Sequence, residues 1–170
     1  MTTQSRPIEG KLGKIVSIEE VSGYQVRPIG ATEGQGGAHA GFSQMLSMLS
    51  GHTTMEGFKV VTDLHEFLVL IDDQSSCCES WGHIHSADEL SDFIGAELIE
   101  VRLTDTALNS LIVERSGVGK YGWDGGGIQF VDFITNQGKL QLAVYNSHNG
   151  YYGHGIVFAV DNVPFAEDTL

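Results

Sequence analysis

The sequence predicts an α+β domain: a mostly antiparallel, twisted sheet of five to eight strands with two short helices on one side. Three observations carry that expectation. Apolar and polar residues alternate over several short segments, the period of a half-buried strand. Two other segments place their apolar residues at helical spacing. Turn residues separate neighbouring strands closely enough for hairpins. With 170 residues, 41% of them hydrophobic and 18% charged, the chain can bury about 70% of its unfolded surface in one core.

Taken in order, Ile15, Val16, Ile18 and Val21 mark a strand at a sheet edge, and Gly30 to Gly41 reads as a mobile connection. Phe42, Met45, Leu46 and Leu49 then share one helical face, with Gly51 as the stop. Phe58–Val61 and Phe67–Ile71 pair as strands. The second is apolar at all five positions, which predicts a central strand buried on both faces. Ser86 and Glu89 have capping-box spacing, opening a short helix with Leu90, Phe93 and Ile94 inward and Gly95 at its end. Ile99, Val101 and Leu103 alternate with Glu100, Arg102 and Thr104 as a half-exposed strand. Leu111–Val113 reads as a strand within a polar, Gly-rich stretch. Ile128–Thr135 and Lys139–Tyr145 flank Asn136-Gln137-Gly138, a short hairpin turn with glycine where positive φ is wanted. Leu140, Leu142 and Val144 mark its buried face. Gly155–Val160 closes the series, with Ile156, Phe158 and Val160 on one face. The division expected is an N-terminal extension with one amphipathic helix (1–57) and an α+β domain (58–170).

Charge narrows the partners. Nine Lys+Arg stand against 22 Asp+Glu, a formal charge of −13. Nucleic-acid polymers and anionic membrane surfaces are therefore poor partners, because both need clustered cations. A basic protein partner suits such a surface. A small anionic ligand is also compatible, held by a few local cations and backbone N–H groups. The chain shows no apolar run of transmembrane length and no signal-peptide pattern at its start, so a soluble, cytoplasmic protein is expected.

Three groups of residues invite chemistry. Cys77, Cys78, His83 and His85 gather soft metal ligands within nine residues, but adjacent thiols diverge, and zinc sites use C-x2-4-C spacing. The expectation is two structural cysteines, buried as small apolar residues, with no metal. A nucleophilic Cys–His pair, and hence a hydrolase, is the minor alternative, since nothing supplies an oxyanion hole. No catalytic residue and no cofactor are expected. Gly122–Gly127 lacks the Gly-Lys-Ser/Thr ending of a phosphate loop, though Arg115 and Lys120 lie beside it. Asn146 to His154 combines amides, tyrosine rings and glycines; amides read a purine edge and rings stack on a base. A structured loop whose tyrosines complete the core is the plainer alternative.

Three pieces together resemble a known family: Ser76-Cys77-Cys78-Glu79-Ser80-Trp81, Asp92-Phe93-Ile94-Gly95-Ala96-Glu97-Leu98, and Asn146-Ser147-His148-Asn149-Gly150-Tyr151-Tyr152-Gly153. The pattern is similar to small phage and bacterial domains, and the resemblance takes in the first-described class of Thoeris anti-defence proteins as members of that group, phage sponges for cyclic ADP-ribose signals. It spans about residues 58 to 161. The resemblance implies a homo-oligomer that sequesters a small cyclic nucleotide without cleaving it. Asn146, Asn149, Tyr151 and Tyr152 would line the ligand pocket. The sponges hold phosphates with arginines near their C-terminus, whereas nothing after Lys139 here is Lys or Arg. Either Arg102, Arg115 or Lys120 takes that part, or this chain does not bind that ligand. Arg115 and Lys120, beside the glycine-rich stretch, complete the candidate ligand set.

Overall fold

In the computed structural model, residues 6–25, 54–74, 77–118, 125–150 and 153–170 are described. They form ten strands: β1 (Ile8–Glu9), β2 (Ile15–Gln25), β3 (Thr54–Thr62), β4 (Glu66–Asp72), β5 (Glu79–His85), β6 (Leu98–Thr104), β7 (Gly125–Thr135), β8 (Gly138–His148), β9 (Gly155–Val160) and β10 (Val163–Thr169). A 3-10 turn, Leu90–Phe93, precedes β6, and the helix α1, Ser110–Ser116, precedes β7. The strands build two five-stranded sheets, in the orders β1-β6-β7-β8-β5 and β10-β9-β4-β3-β2. Every pairing is antiparallel.

The expectation of mostly antiparallel sheet holds; the single sheet does not, and the described residues contain one α-helix, α1. Two sheets pack face to face instead, and their inner side chains make one core. Phe58, Phe67, Val69, Ile71, Ile156 and Phe158 meet Leu98, Val101, Phe133, Leu140, Leu142 and Val144 across it. The physical reason lies in β4. Its run Phe67–Ile71 is buried throughout and sits at the centre of its sheet, so it needs apolar cover on both faces. A second sheet covers one of them. On the outer face Leu68 and Leu70 pack with Met55, Val157 and Ala159.

Several local expectations are corrected. Leu111–Val113 is helix, not strand: Asn109 caps α1 by accepting the Ile112 N–H at 3.1 Å, and Gly117 closes it at φ +66°. Ile112 alone of the three turns inward, against Phe130 and Ala143 on the outer face of the first sheet. Ser86 caps nothing. Its Oγ accepts the Gln141 N–H and its own N–H bonds Gln141 O, extending the β5–β8 ladder. In β6 a bulge between Leu98 and Glu100 resets the alternation. Leu98 and Val101 therefore face the core, while Ile99 is exposed. The β7–β8 hairpin turns on Asn136-Gln137, with Gly138 at φ +140°.

The proposed division at residue 57 falls inside β3, and the 1–57 segment supplies β1 and β2, with Leu12 and Ile15 in the shared core. The amphipathic helix expected around Phe42–Leu49 lies outside the described residues.

Candidate functional site

Two of the three family-like motifs meet at one end of the first sheet. In the β5–β8 ladder Glu79 stands opposite His148 and Trp81 opposite Asn146. On the other side of β8, Gly125 pairs with His148 and Gly127 with Asn146, bringing in the tail of the glycine-rich stretch. Gly126 sits at φ +88°, and a side chain there would collide with Asn146 O. The third piece, Asp92–Leu98, is at the opposite end of the sandwich, where Gly95 N–H bonds Ile15 O and Leu98 pairs with Thr135.

At the motif-bearing end His154 is the central polar group. Its Nε2 lies 3.0 Å from Glu79 Oε2 and its Nδ1 2.7 Å from Asp72 O, so both ring nitrogens are committed. Both side chains of the Glu79–His154 pair are buried, and the imidazole stacks on Trp81 with centroids 4.8 Å apart. Burial pushes the neighbouring Asp72 carboxyl above its ordinary value, opposed by the Gln74 N–H it accepts and by the charge of His154.

Of the residues expected to hold a ligand, Asn146 and Asn149 lie at this end and Arg115 does not. Asn146 is buried, and its Nδ2 donates to Leu170 O at 3.0 Å. That bond ties β8 to the residue after β10. Asn149 is exposed just past β8. Arg115, on α1, donates to His85 O at 3.4 Å, six residues along β5 from Glu79, or about 20 Å of strand. Lys120, Tyr151 and Tyr152 lie outside the described residues.

The cysteines are a correction as well. Cys77 and Cys78 are exposed rather than buried, in the turn before β5 with Cys78 at φ +66°. The Cys77 thiol beside it raises the Cys78 pKa through their hydrogen bond and the charge a second thiolate would add. His83 points elsewhere, its Nδ1 3.2 Å from Glu56 Oε1 and its ring edge-on to Phe58. Among the described residues no group of three or more His, Cys, Asp and Glu is placed to hold a metal ion.

A separate opening lies between the sheets. A cavity of about 700 Å³ separates β6–β7–β8 from β4, β9 and β10. Val69, Val131, Val144, Ile156, Phe158 and Phe165 line its apolar interior, while Glu100, Arg102, Asp105, Glu167 and Asp168 line its polar margin. Arg102 is already paired, 3.4 Å from Glu100 Oε1 and 3.4 Å from Asp132 Oδ2. Asp132, buried, also receives Lys139 Nζ at 2.9 Å and Gln141 Nε2 at 2.7 Å. Gln141 Oε1 in turn accepts the Leu108 N–H, fixing the approach to α1. Gln129, only 5% exposed, also lines the cavity. Reading the sequence alone missed this cleft, because its wall consists of ordinary strand positions.

Comparison with known proteins gives no matching curated protein and no matching solved structure. The model of one family, described as Domain of unknown function (DUF7448), matches residues 10–158. That stretch takes in β2 through most of β9, and the chain belongs to this family.

Proposed function

We propose that this domain is a binding protein that holds a small molecule in the cleft between its two sheets, without transforming it. The cavity carries the reading. At about 700 Å³ it falls among pockets that enclose drug-sized ligands, and it joins an apolar interior to a polar margin that can orient a ligand. The non-catalytic half keeps the expectation from the sequence, in which no complete catalytic signature appears. A titration with Nile red, a neutral apolar dye, tests the cleft. Saturable one-site fluorescence that is lost in Val131→Phe, which fills the cavity, is the expected result. Absence of binding, or binding indifferent to that substitution, overturns it.

A second reading keeps the ligand that the resemblance implies: a phage anti-defence sponge, homo-oligomeric, sequestering a small cyclic nucleotide at the motif-bearing end. The observation in its favour is the ladder that sets Glu79–Trp81 beside Asn146–His148, because residues far apart in sequence that make up the family-like pattern adjoin there. Calorimetry against cyclic ADP-ribose isomers and cyclic di- and trinucleotides decides it. Heat that survives Val131→Phe and disappears in Asn149→Ala supports the sponge; no heat with any of these ligands removes it. Native mass spectrometry of the same samples reads the subunit number.

A further inference from the structure

We infer that the ligand of the inter-sheet cleft is an apolar-bodied amine, protonated at neutral pH, that donates an N–H to Gln129 Oε1. The inference rests on the cleft reading above and adds the chemical class. Gln129 is only 5% exposed and lines the cavity. Its Nε2 donates to Thr104 O at 3.3 Å and to Phe130 O at 3.0 Å, which uses both amide protons. Those bonds orient the amide, and among the described residues no donor bonds its carbonyl oxygen. The oxygen is open to the cleft, so a ligand that brings a donor replaces water there with a bond whose partner is already oriented.

The charges at the margin select among donors. Glu100, Asp105, Glu167 and Asp168 line it, and the cation among the lining residues, Arg102, is held between Glu100 and Asp132. The local field is therefore negative and has the same sign as the formal charge of the whole chain, −13. A protonated amine is drawn in by this field. A carboxylate or phosphate is repelled by it and brings Gln129 no proton. Behind the margin, Val131, Ile156, Phe158 and Phe165 offer apolar surface for the ligand's body.

A matched phenyl series, whose ring brings no N–H, separates the terms: 2-phenylethylamine as cation, ethylbenzene as neutral body and phenylacetate as anion, titrated by calorimetry into the full-length protein. Phenylethylamine is expected to bind about tenfold tighter than ethylbenzene, with phenylacetate weakest, and its advantage should shrink at high salt. Gln129→Leu removes the acceptor and should lower phenylethylamine affinity while leaving ethylbenzene unchanged. Glu167→Gln with Asp168→Asn, on exposed positions of β10, keeps the test sound should Gln129→Leu unfold; it too should erode the preference for phenylethylamine. Phenylacetate binding as tightly as phenylethylamine, or a preference untouched by these variants, overturns the amine assignment and leaves the cleft standing. Failure of all three ligands to bind, or binding unaffected by Val131→Phe, overturns the cleft with it.

Discussion

The motif-bearing end and the inter-sheet cleft use polar groups in opposite ways. At the end, His154 bonds Glu79 and Asp72, and Asn146 reaches Leu170; these side chains join strands that are distant in sequence. In the cleft, among the described residues, four lining carboxylates and the Gln129 oxygen accompany one lining cation, Arg102, which is already paired. A dense run of polar residues thus marks where the chain closes on itself, and the proposed binding site lies where two apolar sheets stand apart. The difference predicts that substitutions at the end change stability and substitutions in the cleft change ligand capture.

The largest expected effect is at the buried pair. Glu79→Ala leaves His154 Nε2 without its partner in a site with almost no solvent, and should cost about 3 kcal/mol. Glu79→Gln keeps an oxygen near the ring and should cost about 1 kcal/mol. Urea unfolding measures both. Nile red binding under native conditions should stay unchanged, and a loss of dye affinity in a folded Glu79 variant would break the proposed separation. Next comes Gly126→Ala. At φ +88° with the added methyl against Asn146 O, it should destabilise by about 1–3 kcal/mol, again without altering the cleft. Val131→Phe is the converse: stability within about 1 kcal/mol of the parent, because the new ring enters existing space, and dye binding abolished.

Which parts were legible in the sequence follows the same divide between local and distant. The all-apolar run Phe67–Ile71 announced a central strand because burial on both faces leaves no polar position. The Asn136–Gly138 turn announced its hairpin because Gly138 can take φ +140°. Leu111-Ile112-Val113 misled, since three consecutive apolar residues look like a strand, and the cap at Asn109 decides otherwise. Ile99 misled because a bulge cannot be seen in a hydrophobic pattern. The split into two sheets depends on pairings such as β4 with β9, which join segments far apart in the chain. Gln129 was illegible for a related reason. A glutamine in a strand reads as solvent-facing, and only the packing of two sheets reveals that it is buried beside a cavity.

The smallest expected effect tests the electrostatics of the motif-bearing end. Asp72 ends β4 with its carboxyl half-buried, and burial raises its pKa above 3.8. For a raised acid the sign is fixed: folding favours the protonated form, so the favourable contribution is complete below pH 3.8 and is lost as pH rises through the folded-state pKa. At neutral pH the folded protein therefore carries a charged group it holds less well than the unfolded chain does. Asp72→Asn removes that charge, while its amide oxygen can still accept the Gln74 N–H that now bonds Asp72 Oδ1 at 2.8 Å. The variant should be more stable than the parent at pH 7, and the difference should disappear in acid, below pH 3.8. Paired thermal melts across pH 3 to 8 measure this. A variant less stable than the parent at pH 7 would mean that the attraction between Asp72 and His154 outweighs burial, and that the end is held together by charge as well as by hydrogen bonds.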